Sequence, residues 1–387
     1  MQVPLLDLKS QYQTLREEIR AAIDEVADTQ TLILGPRVER LEKAIADYCG
    51  ANHAIGVSSG TDAELVALMA LEIGPGDTVL TTPYTFFATA SCVSRVGARP
   101  VFVDIDPATF NLSVPALRQA LENTSNVKAI IPVHLFGCCA AIDEIMALGR
   151  EYHVPVLEDA AQALGAQYPS KATGQVHGAG SMGDCGWFSF YPTKNLGAFG
   201  DAGMVTCRDA ELAAKIRAFR NHGMEPRYYH QWIGGNFRLD AIQAAVLEVK
   251  LPHLDGWHAA RREHAAFYHQ EFARLELLDT VTLPIEPYAR QAAGGGAVNH
   301  HIYNQFVIRA PRRDALRAHL QQNGIGSEIY YPLSLHQQKC FASLGYQTGD
   351  FPESERATAE TLALPIYPEL THEQLAYVVE TIRAFYR

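Results

Sequence analysis

The sequence lacks three features that mark other classes of protein: paired cysteines, an excess of basic residues and a long apolar run. Its seven cysteines are an odd number and none stands in a C-x-x-C pair, which argues against a disulfide framework and a zinc site. Acidic residues outnumber basic ones, giving a formal net charge of -11 at pH 7. Since the Lys and Arg residues are also scattered, no nucleic-acid partner is expected.

The first nineteen residues carry charged side chains and hold no apolar stretch of the length that a signal peptide or a membrane span requires. We therefore expect a cytoplasmic protein with reduced thiols and no membrane partner. No pair of histidines stands in H-x-x-x-H spacing beside a glutamate, so no metal site is expected either.

Short β-branched runs alternate with helix-length amphipathic segments through the first two-thirds of the chain. This alternation predicts an α/β fold in which helices cover a mostly parallel sheet. The runs are almost continuously apolar, as strands buried on both faces require. We predict seven strands in one large sheet, at residues 53 to 58, 78 to 82, 100 to 104, 128 to 134, 154 to 158, 185 to 190 and 202 to 207.

A second, smaller unit is predicted after Pro252, which interrupts a helical pattern that restarts at His253. We place a large domain with the N-terminal segment at residues 1–252 and a small C-terminal α+β domain at residues 253–387. The elements expected in the small domain are strands at 301 to 309 and 325 to 330, a helix at 311 to 322, a loop at Gly294 to Gly296, and a terminal helix opened by Thr371 and Gln374 in capping-box spacing.

Gly178, Gly180 and Gly183 match the G-x-G-x-x-G pattern of dinucleotide-binding proteins. That fingerprint needs a strand before it and a helix after it. Here a polar loop precedes the glycines and the aromatic β run from Trp187 to Tyr191 follows them. We therefore expect the glycines to form a turn and exclude a dinucleotide site.

Polar residues follow two of the predicted strands directly. Ser59, Gly60 and Thr61 precede a helical pattern, where backbone N–H groups and the helix dipole suit a phosphate; the same residue types are also ordinary helix caps. Asp159 follows the strand at 154 to 158, where open α/β sheets place their ligands, yet it also fits a helix cap with Gln162 in box position. These alternatives remain open at this point.

Lys194 differs from the other lysines in its setting. It follows an apolar aromatic strand and precedes a glycine-containing turn, residues 196 to 200. Partial burial there would lower its pKa and make a neutral amine available for nucleophilic chemistry. His134 also ends a predicted strand, although a lone histidine in that place is more often structural.

Motifs along the whole chain resemble the DegT/StrS family of nucleotide-sugar aminotransferases, which depend on pyridoxal phosphate (PLP) and have the type I aminotransferase fold. The matching segments are Ser59-Gly60-Thr61-Asp62-Ala63, Tyr84 to Thr89, Pro132 to Gly137, Glu158-Asp159-Ala160-Ala161-Gln162, Ser189 to Gly197, Gly235 to Leu239, Tyr331-Pro332 with His336, and Leu364 to Pro368. Their number and order make the resemblance specific.

The resemblance implies a role for each matching position. Lys194 would hold PLP as a Schiff base, and Asp159 would keep the ring nitrogen protonated. The remaining expected cofactor contacts are Gln162 beside the phenolic oxygen, Phe86 stacked on the ring, Ser59, Gly60, Thr61 and Ser189 around the phosphate, and Asn236 from the second subunit of a homodimer with a shared active site.

The implied reaction moves an amino group from an amino acid, commonly glutamate, through pyridoxamine phosphate (PMP) to a keto nucleotide sugar for amino-sugar and polysaccharide biosynthesis. Tyr331, His336 and Arg238 are the expected substrate contacts. Arg227-Tyr228-Tyr229-His230 resembles the branch that handles 3-keto sugars, and 4-keto sugars stay open. A PLP-dependent sugar dehydratase and a non-catalytic PLP-binding regulator are the alternatives; the retained Lys194, Asp159 and Gln162 favour transamination.

Overall fold

The computed structural model describes residues 1–289 and 299–387, so the predicted loop at Gly294 to Gly296 lies outside the described residues. All seven strands predicted for the large sheet are present, each slightly shorter than the sequence pattern suggests. The large sheet contains β1 (His53–Val57), β2 (Thr78–Thr81), β3 (Arg99–Phe102), β4 (Val127–Ile131), β5 (Leu157–Asp159), β8 (Cys185–Ser189) and β9 (Gly203–Cys207). Two further pairs of strands, β6 (Gln167–Pro169) with β7 (Val176–Gly178) and β10 (Phe306–Arg309) with β11 (Thr361–Leu364), form separate two-stranded sheets.

The large sheet is mixed but mostly parallel, in the order β1-β9-β8-β5 followed by β4-β2-β3. Its two parts join where β5 runs beside β4: Ile130 N donates to Pro155 O at 3.0 Å and His134 N donates to Asp159 O at 2.9 Å. Only β9 runs antiparallel to its neighbours among these strands. The carboxyl ends of β1, β5 and β8 therefore meet at one edge of the sheet.

Helices cover both faces of this sheet and build the smaller unit, as expected for an α/β fold. Thr371 and Gln374 form the predicted capping box at the start of the last helix. The α-helices are α1 (Leu8–Thr29), α2 (Pro36–Cys49), α3 (Gly60–Ala70), α4 (Ala88–Arg95), α5 (Val114–Asn123), α6 (Ile142–Tyr152), α7 (Ala210–Arg220), α8 (Ala241–Lys250), α9 (Leu254–Arg274), α10 (Arg313–Gln322), α11 (Pro352–Glu360) and α12 (His372–Tyr386).

Two strand predictions in the C-terminal part need correction. The strand predicted at 301 to 309 begins only at Phe306, where it pairs with β11. The strand predicted at 325 to 330 does not form a ladder. Its residues instead make two single bridges, Ile325 with Val3 and Glu328 with Ala363. The segment thus pairs with two different partners, and with each of them at one residue only.

The apolar packing bears on the predicted division at residue 252. Helix α9 starts in the core of the large sheet with Leu254 and ends in a second core with Phe272. Val3, assigned with the large domain, packs in that second core. The boundary stays a prediction, and the N-terminal residues join the C-terminal unit. No helix in residues 1–289 and 299–387 is long and apolar enough to cross a membrane.

Candidate active site

A cavity of about 860 Å³ opens at the edge of the sheet where β1, β5 and β8 end. Three of the predicted site residues, Asn236, Arg238 and His336, do not line it. Nine do: Ser59, Gly60, Thr61, Phe86, Asp159, Gln162, Ser189, Lys194 and Tyr331. The fold thus brings most of the predicted cofactor residues to one place from segments far apart in sequence.

The start of α3 forms a cradle for an anion. Ser59 caps the helix, since its Oγ accepts from Asp62 N at 3.0 Å. The N–H groups of Gly60 and Thr61 lie in the first turn, where no intrahelical acceptor is available. A Cβ on Gly60 would lie 2.7 Å from Ser189 Cβ, so only glycine lets the Ser189 hydroxyl approach this helix end. Ser59 therefore serves as a helix cap while the first-turn N–H groups remain free for an anion, and the cradle fits a phosphate group.

Asp159 ends β5 and is buried, with its side chain held by two donors. Thr89 Oγ1 donates to one carboxylate oxygen at 2.8 Å and Ala161 N donates to the other at 3.1 Å. No helix starts after Asp159, so the capping alternative is wrong. Burial raises the pKa of this carboxyl, and the Thr89 hydrogen bond opposes the rise. A cationic N–H in the cavity would therefore be a favourable partner.

Lys194 lies in the turn between β8 and β9, and three contacts hold this turn in place. Lys194 N donates to Tyr191 O at 2.8 Å, the Asn195 side chain donates to Ile302 O at 3.2 Å, and the buried Lys250 Nζ donates to Gly197 O at 2.6 Å. Burial lowers the pKa of Lys194 to about 8, against the opposing charge of Asp159. The neutral form of this amine is therefore more accessible than that of an ordinary exposed lysine.

The walls between these groups suit a flat aromatic ligand. Phe86 lines the cavity yet is 57% exposed, so much of its ring is free to contact a bound molecule. Gln162 accepts from Phe136 N at 2.7 Å and donates to Tyr331 OH at 3.2 Å. Together these groups fit PLP. The cradle suits its phosphate, the amine its carbonyl carbon, the carboxylate its basic ring nitrogen and the aromatic wall the face of its ring.

The prediction that His336 contacts the substrate needs correction. Its ring is buried behind the cavity wall, and both nitrogens are engaged, with Ser334 Oγ at 2.9 Å and Glu355 Oε1 at 3.0 Å. Its neighbour Leu335 lines the cavity instead. The histidine therefore supports the wall and offers no free group to a ligand.

Arg238 and Asn236 lie on the segment between α7 and α8, which makes single bridges at Asn236 with Asn221 and at Arg238 with Val57. Arg238 donates to Asn221 Oδ1 at 2.7 Å, and Asn236 is exposed. The segment runs beside the end of β1, where Ser58 N donates to Phe237 O at 3.0 Å, but neither side chain lines the cavity. The roles of both residues stay predictions, and the family resemblance assigns Asn236 to the site of a second subunit.

His134 is structural, as the more frequent role of a lone strand-end histidine suggests. Its Nδ1 accepts from Ala140 N at 3.0 Å and its Nε2 lies 2.8 Å from Glu158 Oε2. Gly180 N and Gly183 N also donate to Glu158, at 3.0 Å and 2.6 Å. The glycine-rich turn that resembles a dinucleotide motif therefore wraps a buried carboxylate, and no helix follows it.

Thr89 and Lys250 are the functional contacts that sequence analysis did not assign. Thr89 belongs to the family motif at residues 84 to 89, but its partner Asp159 is 70 residues away. Lys250 contacts a carbonyl 53 residues away. No local pattern identifies either pairing, because both depend on how the strands are ordered.

Solved structures of other proteins share the fold of this chain. DesV from Streptomyces venezuelae, solved in complex with a ketimine intermediate, is 38% identical with a TM-score of 0.91, covering 99% of this chain and 98% of that one. NtdA from Bacillus subtilis, solved with the bound cofactor PMP, is 28% identical with a TM-score of 0.85, covering 99% of this chain and 85% of that one.

Two curated relatives match along their whole lengths. The pleiotropic regulatory protein of Geobacillus stearothermophilus is 49% identical over 100% of this chain and 99% of its own. The UDP-N-acetyl-3-dehydro-alpha-D-glucosamine 3-aminotransferase of Acidithiobacillus ferrooxidans is 44% identical over 98% and 97%. Residues 13–383 match the family model, and the chain belongs to the DegT/DnrJ/EryC1/StrS aminotransferase family.

Proposed function

We propose that this aminotransferase uses PLP to move an amino group from an amino acid to a 3-keto nucleotide sugar, with glutamate as the amino donor that the family resemblance implies. The observation that carries the proposal is the shared cavity of Lys194 and Asp159 beside the phosphate cradle at Gly60. An amine with a lowered pKa and a buried carboxylate that line one cavity provide the two groups that a PLP ring requires, one for its carbonyl carbon and one for its ring nitrogen.

The residues of this chain divide the work of the reaction. When bound, PLP supplies an electron sink for the carbon that loses or gains a proton. Lys194 Nζ would take the proton from the donor's α-carbon as base and would deliver it as acid to the C4′ carbon of the cofactor. Asp159 holds a proton on the ring nitrogen, and Phe86 and Gln162 fix the plane of the ring.

The choice of a 3-keto sugar rests on the relative from A. ferrooxidans, whose name specifies a 3-dehydro sugar nucleotide, together with the resemblance of residues 227 to 230. The test is a single-turnover assay: the protein in its PMP form is mixed with 3-keto and 4-keto nucleotide sugars, and the return of PLP absorbance is followed. We expect rapid recovery with a 3-keto substrate. Faster recovery with 4-keto sugars would contradict the assignment.

Charge supports a homodimer with shared sites. Among the residues that the structure describes, Asp159, Asp201 and Glu328 line the cavity with one cationic side chain, Lys194, whereas a PLP phosphate, the carboxylate of an amino acid and a nucleotide diphosphate all carry negative charge. Cations from outside the chain would balance these ligands. The hairpin beside Asn236 carries Arg227 and three largely exposed apolar residues, Tyr228, Tyr229 and Ile233, which suit burial against a second copy.

Hybrid dimers test the sharing of sites. We expect Lys194→Ala and Asn236→Asp subunits to be nearly inactive as separate homodimers, the second because a new carboxylate would face the phosphate. Mixed dimers would contain one intact site, so an equal mixture should recover about a quarter of wild-type activity. Differently tagged subunits would verify that mixed dimers form. Mixed dimers without recovered activity would show that Asn236 serves its own chain.

A second candidate, a regulator that binds PLP without catalysis, is favoured by the name of the G. stearothermophilus relative. The intact pair of Lys194 and Asp159 argues for catalysis, because binding alone requires no base with a lowered pKa. A cofactor-loaded protein that fails to convert PLP to PMP with any amino donor would favour the regulator.

We also propose a cytoplasmic location, since all seven cysteines are free.

A further inference from the structure

The turn that carries Lys194 is closed by its own backbone. We call residues 190 to 200 the lysine turn. Within it, Ala198 N donates to Phe190 O at 2.8 Å and Lys194 N donates to Tyr191 O at 2.8 Å. Because these bonds link its two sides, we expect the lysine turn to shift as one unit. The place of the Lys194 amine in the cavity therefore depends on where this unit is held.

Two side chains of α8 bind the backbone of the lysine turn. The Nζ of the buried Lys250 donates to Gly197 O at 2.6 Å. Seven residues earlier on the helix, Gln243 Oε1 accepts from Phe199 N at 2.8 Å and Gln243 Nε2 donates to Phe199 O at 3.4 Å. Residues seven apart lie two turns along the same face of a helix. Helix α8 thus binds the turn at two backbone positions, Gly197 and Phe199.

Apolar packing alone leaves room for the lysine turn to shift. A cavity of about 110 Å³ lies between α1 and the turn, and its lining includes Tyr12 and Ile19 of α1 and Pro192, Ala198 and Phe199 of the turn. An empty space provides no dispersion contacts that would oppose a movement into it. The hydrogen bonds from α8 are therefore needed to hold the turn on this side.

We propose that Lys250 and Gln243 are positioning residues for Lys194, because their hydrogen bonds set the place of the lysine turn and with it the place of the reacting amine. Neither residue lines the cavity of the candidate active site, so both act through the turn. The relevance of this placement to PLP rests on the proposed function. The bracing of the turn does not, since it consists of contacts within this chain.

A role in stability alone does not account for the lysine at position 250. Lys250 is only 5% exposed, and its Nζ lies 6.0 Å from the centre of the Trp257 ring. Burying an amine costs free energy that an apolar side chain of similar length would not lose. The hydrogen bond to Gly197 O is the contact that a methionine at this position would lack.

The first test measures the bracing in the full-length protein without cofactor, by hydrogen exchange and mass spectrometry. Peptides from the lysine turn should exchange about tenfold faster in Lys250→Met and about threefold faster in Gln243→Leu, since each variant loses a hydrogen bond that opposes local opening. Unchanged exchange in both variants would overturn the proposal.

A matched control separates bracing from a general loosening of α8. Val246 lies between the two positioning residues in sequence and packs with Leu15 and Ile19 of α1. Val246→Ala should lower the stability of the protein, yet exchange in the lysine turn should stay within about twofold of wild type. An equal acceleration in Val246→Ala would show that any weakening of α8 releases the turn, and would overturn the specific role of the two side chains.

The second test asks whether the braced turn places the amine. Cofactor-free protein is mixed with saturating PLP, and the rate of covalent attachment is followed by absorbance. Attachment forms a C=N bond between Lys194 Nζ and the PLP carbonyl carbon and releases water. We expect this rate to fall about tenfold in Lys250→Met and about threefold in Gln243→Leu. Non-covalent affinity should change little, because the phosphate cradle at Gly60 is intact in both variants.

The conservative variant Gln243→Glu keeps an acceptor for Phe199 N, so its attachment rate should lie close to wild type and well above that of Gln243→Leu. Wild-type attachment rates in Lys250→Met and Gln243→Leu, despite faster exchange in the turn, would overturn the positioning role. Failure of the proposed function has a different signature. In that case wild-type protein itself would not attach PLP to Lys194, while the exchange results of the first test would be unaffected.

Discussion

Replacing Lys194 by alanine is expected to abolish the covalent attachment of PLP and to lower kcat by about a thousandfold or more. The loss combines two functions in one amine, covalent attachment of the cofactor and transfer of a proton, and general acid–base catalysis alone contributes about 10²–10⁴-fold. Borohydride reduction followed by peptide mass spectrometry would detect the attachment, and single-turnover absorbance would give the rate.

Two controls make the Lys194 prediction specific. Lys171 is an exposed lysine on the loop between β6 and β7, and Lys171→Ala should retain attachment and rate. Lys194→Arg keeps a charge but offers no neutral amine at usable pH, because arginine stays protonated. A reducible link in Lys194→Ala would show that another residue holds the cofactor.

The pKa of Lys194 gives the same prediction a readout that does not involve catalysis. Its native value of about 8 lies below the unfolded value of 10.5, so a protonated Lys194 destabilises the cofactor-free protein. Lys194→Met should therefore be more stable than wild type below pH 8. The advantage should shrink as pH rises from 8 to 10.5, because over that range the unfolded state binds more protons.

The large sheet and the cofactor side of the site are predictable because their signals are local. Each of the seven buried strands is an apolar run, and parallel strands present their carboxyl ends at one edge. Asp159 ends one such strand, β5, and Lys194 lies in the turn that follows another, β8. Once both strands belong to one sheet, the meeting of the two side chains follows from the topology and needs no detailed packing.

The errors and omissions fall where distant segments decide the outcome. Residues 325 to 330 have a strand-like pattern, but Val3 and Ala363 compete for their backbone. His336 stands in a motif that suggests a ligand, yet Ser334 and Glu355 occupy its nitrogens. Gln243 looks like any polar residue on a helix, and only the packed structure shows that it binds the backbone of the lysine turn. Periodicity describes one segment at a time and does not specify its partners.

Asp159→Asn is expected to lower kcat by about 10²–10³-fold while PLP remains attached to Lys194. Asparagine has the size of aspartate, and its single side-chain oxygen can still accept from Ala161 N while its NH2 group donates to Thr89 Oγ1, but it carries no charge to keep a proton on the ring nitrogen. Removing one preorganised electrostatic contact from an active site typically costs a factor of this size. The measurements are single-turnover rates and borohydride trapping on the same sample.

Two further variants separate the charge of Asp159 from a general charge effect. Asp201 also lines the cavity, and Asp201→Asn removes a carboxylate from the same cavity without touching the predicted ring contact, so its kcat should stay within about threefold of wild type. Thr89→Val removes the 2.8 Å hydrogen bond to Asp159 but leaves the charge, and should lower kcat by about tenfold, the worth of one charge-assisted hydrogen bond. Equal losses in Asp159→Asn and Asp201→Asn would mean that cavity charge, and not a proton held on the ring, sets the rate. A graded order, with Asp159→Asn most affected, then Thr89→Val, then Asp201→Asn, is what a carboxylate oriented by Thr89 toward a ring nitrogen requires.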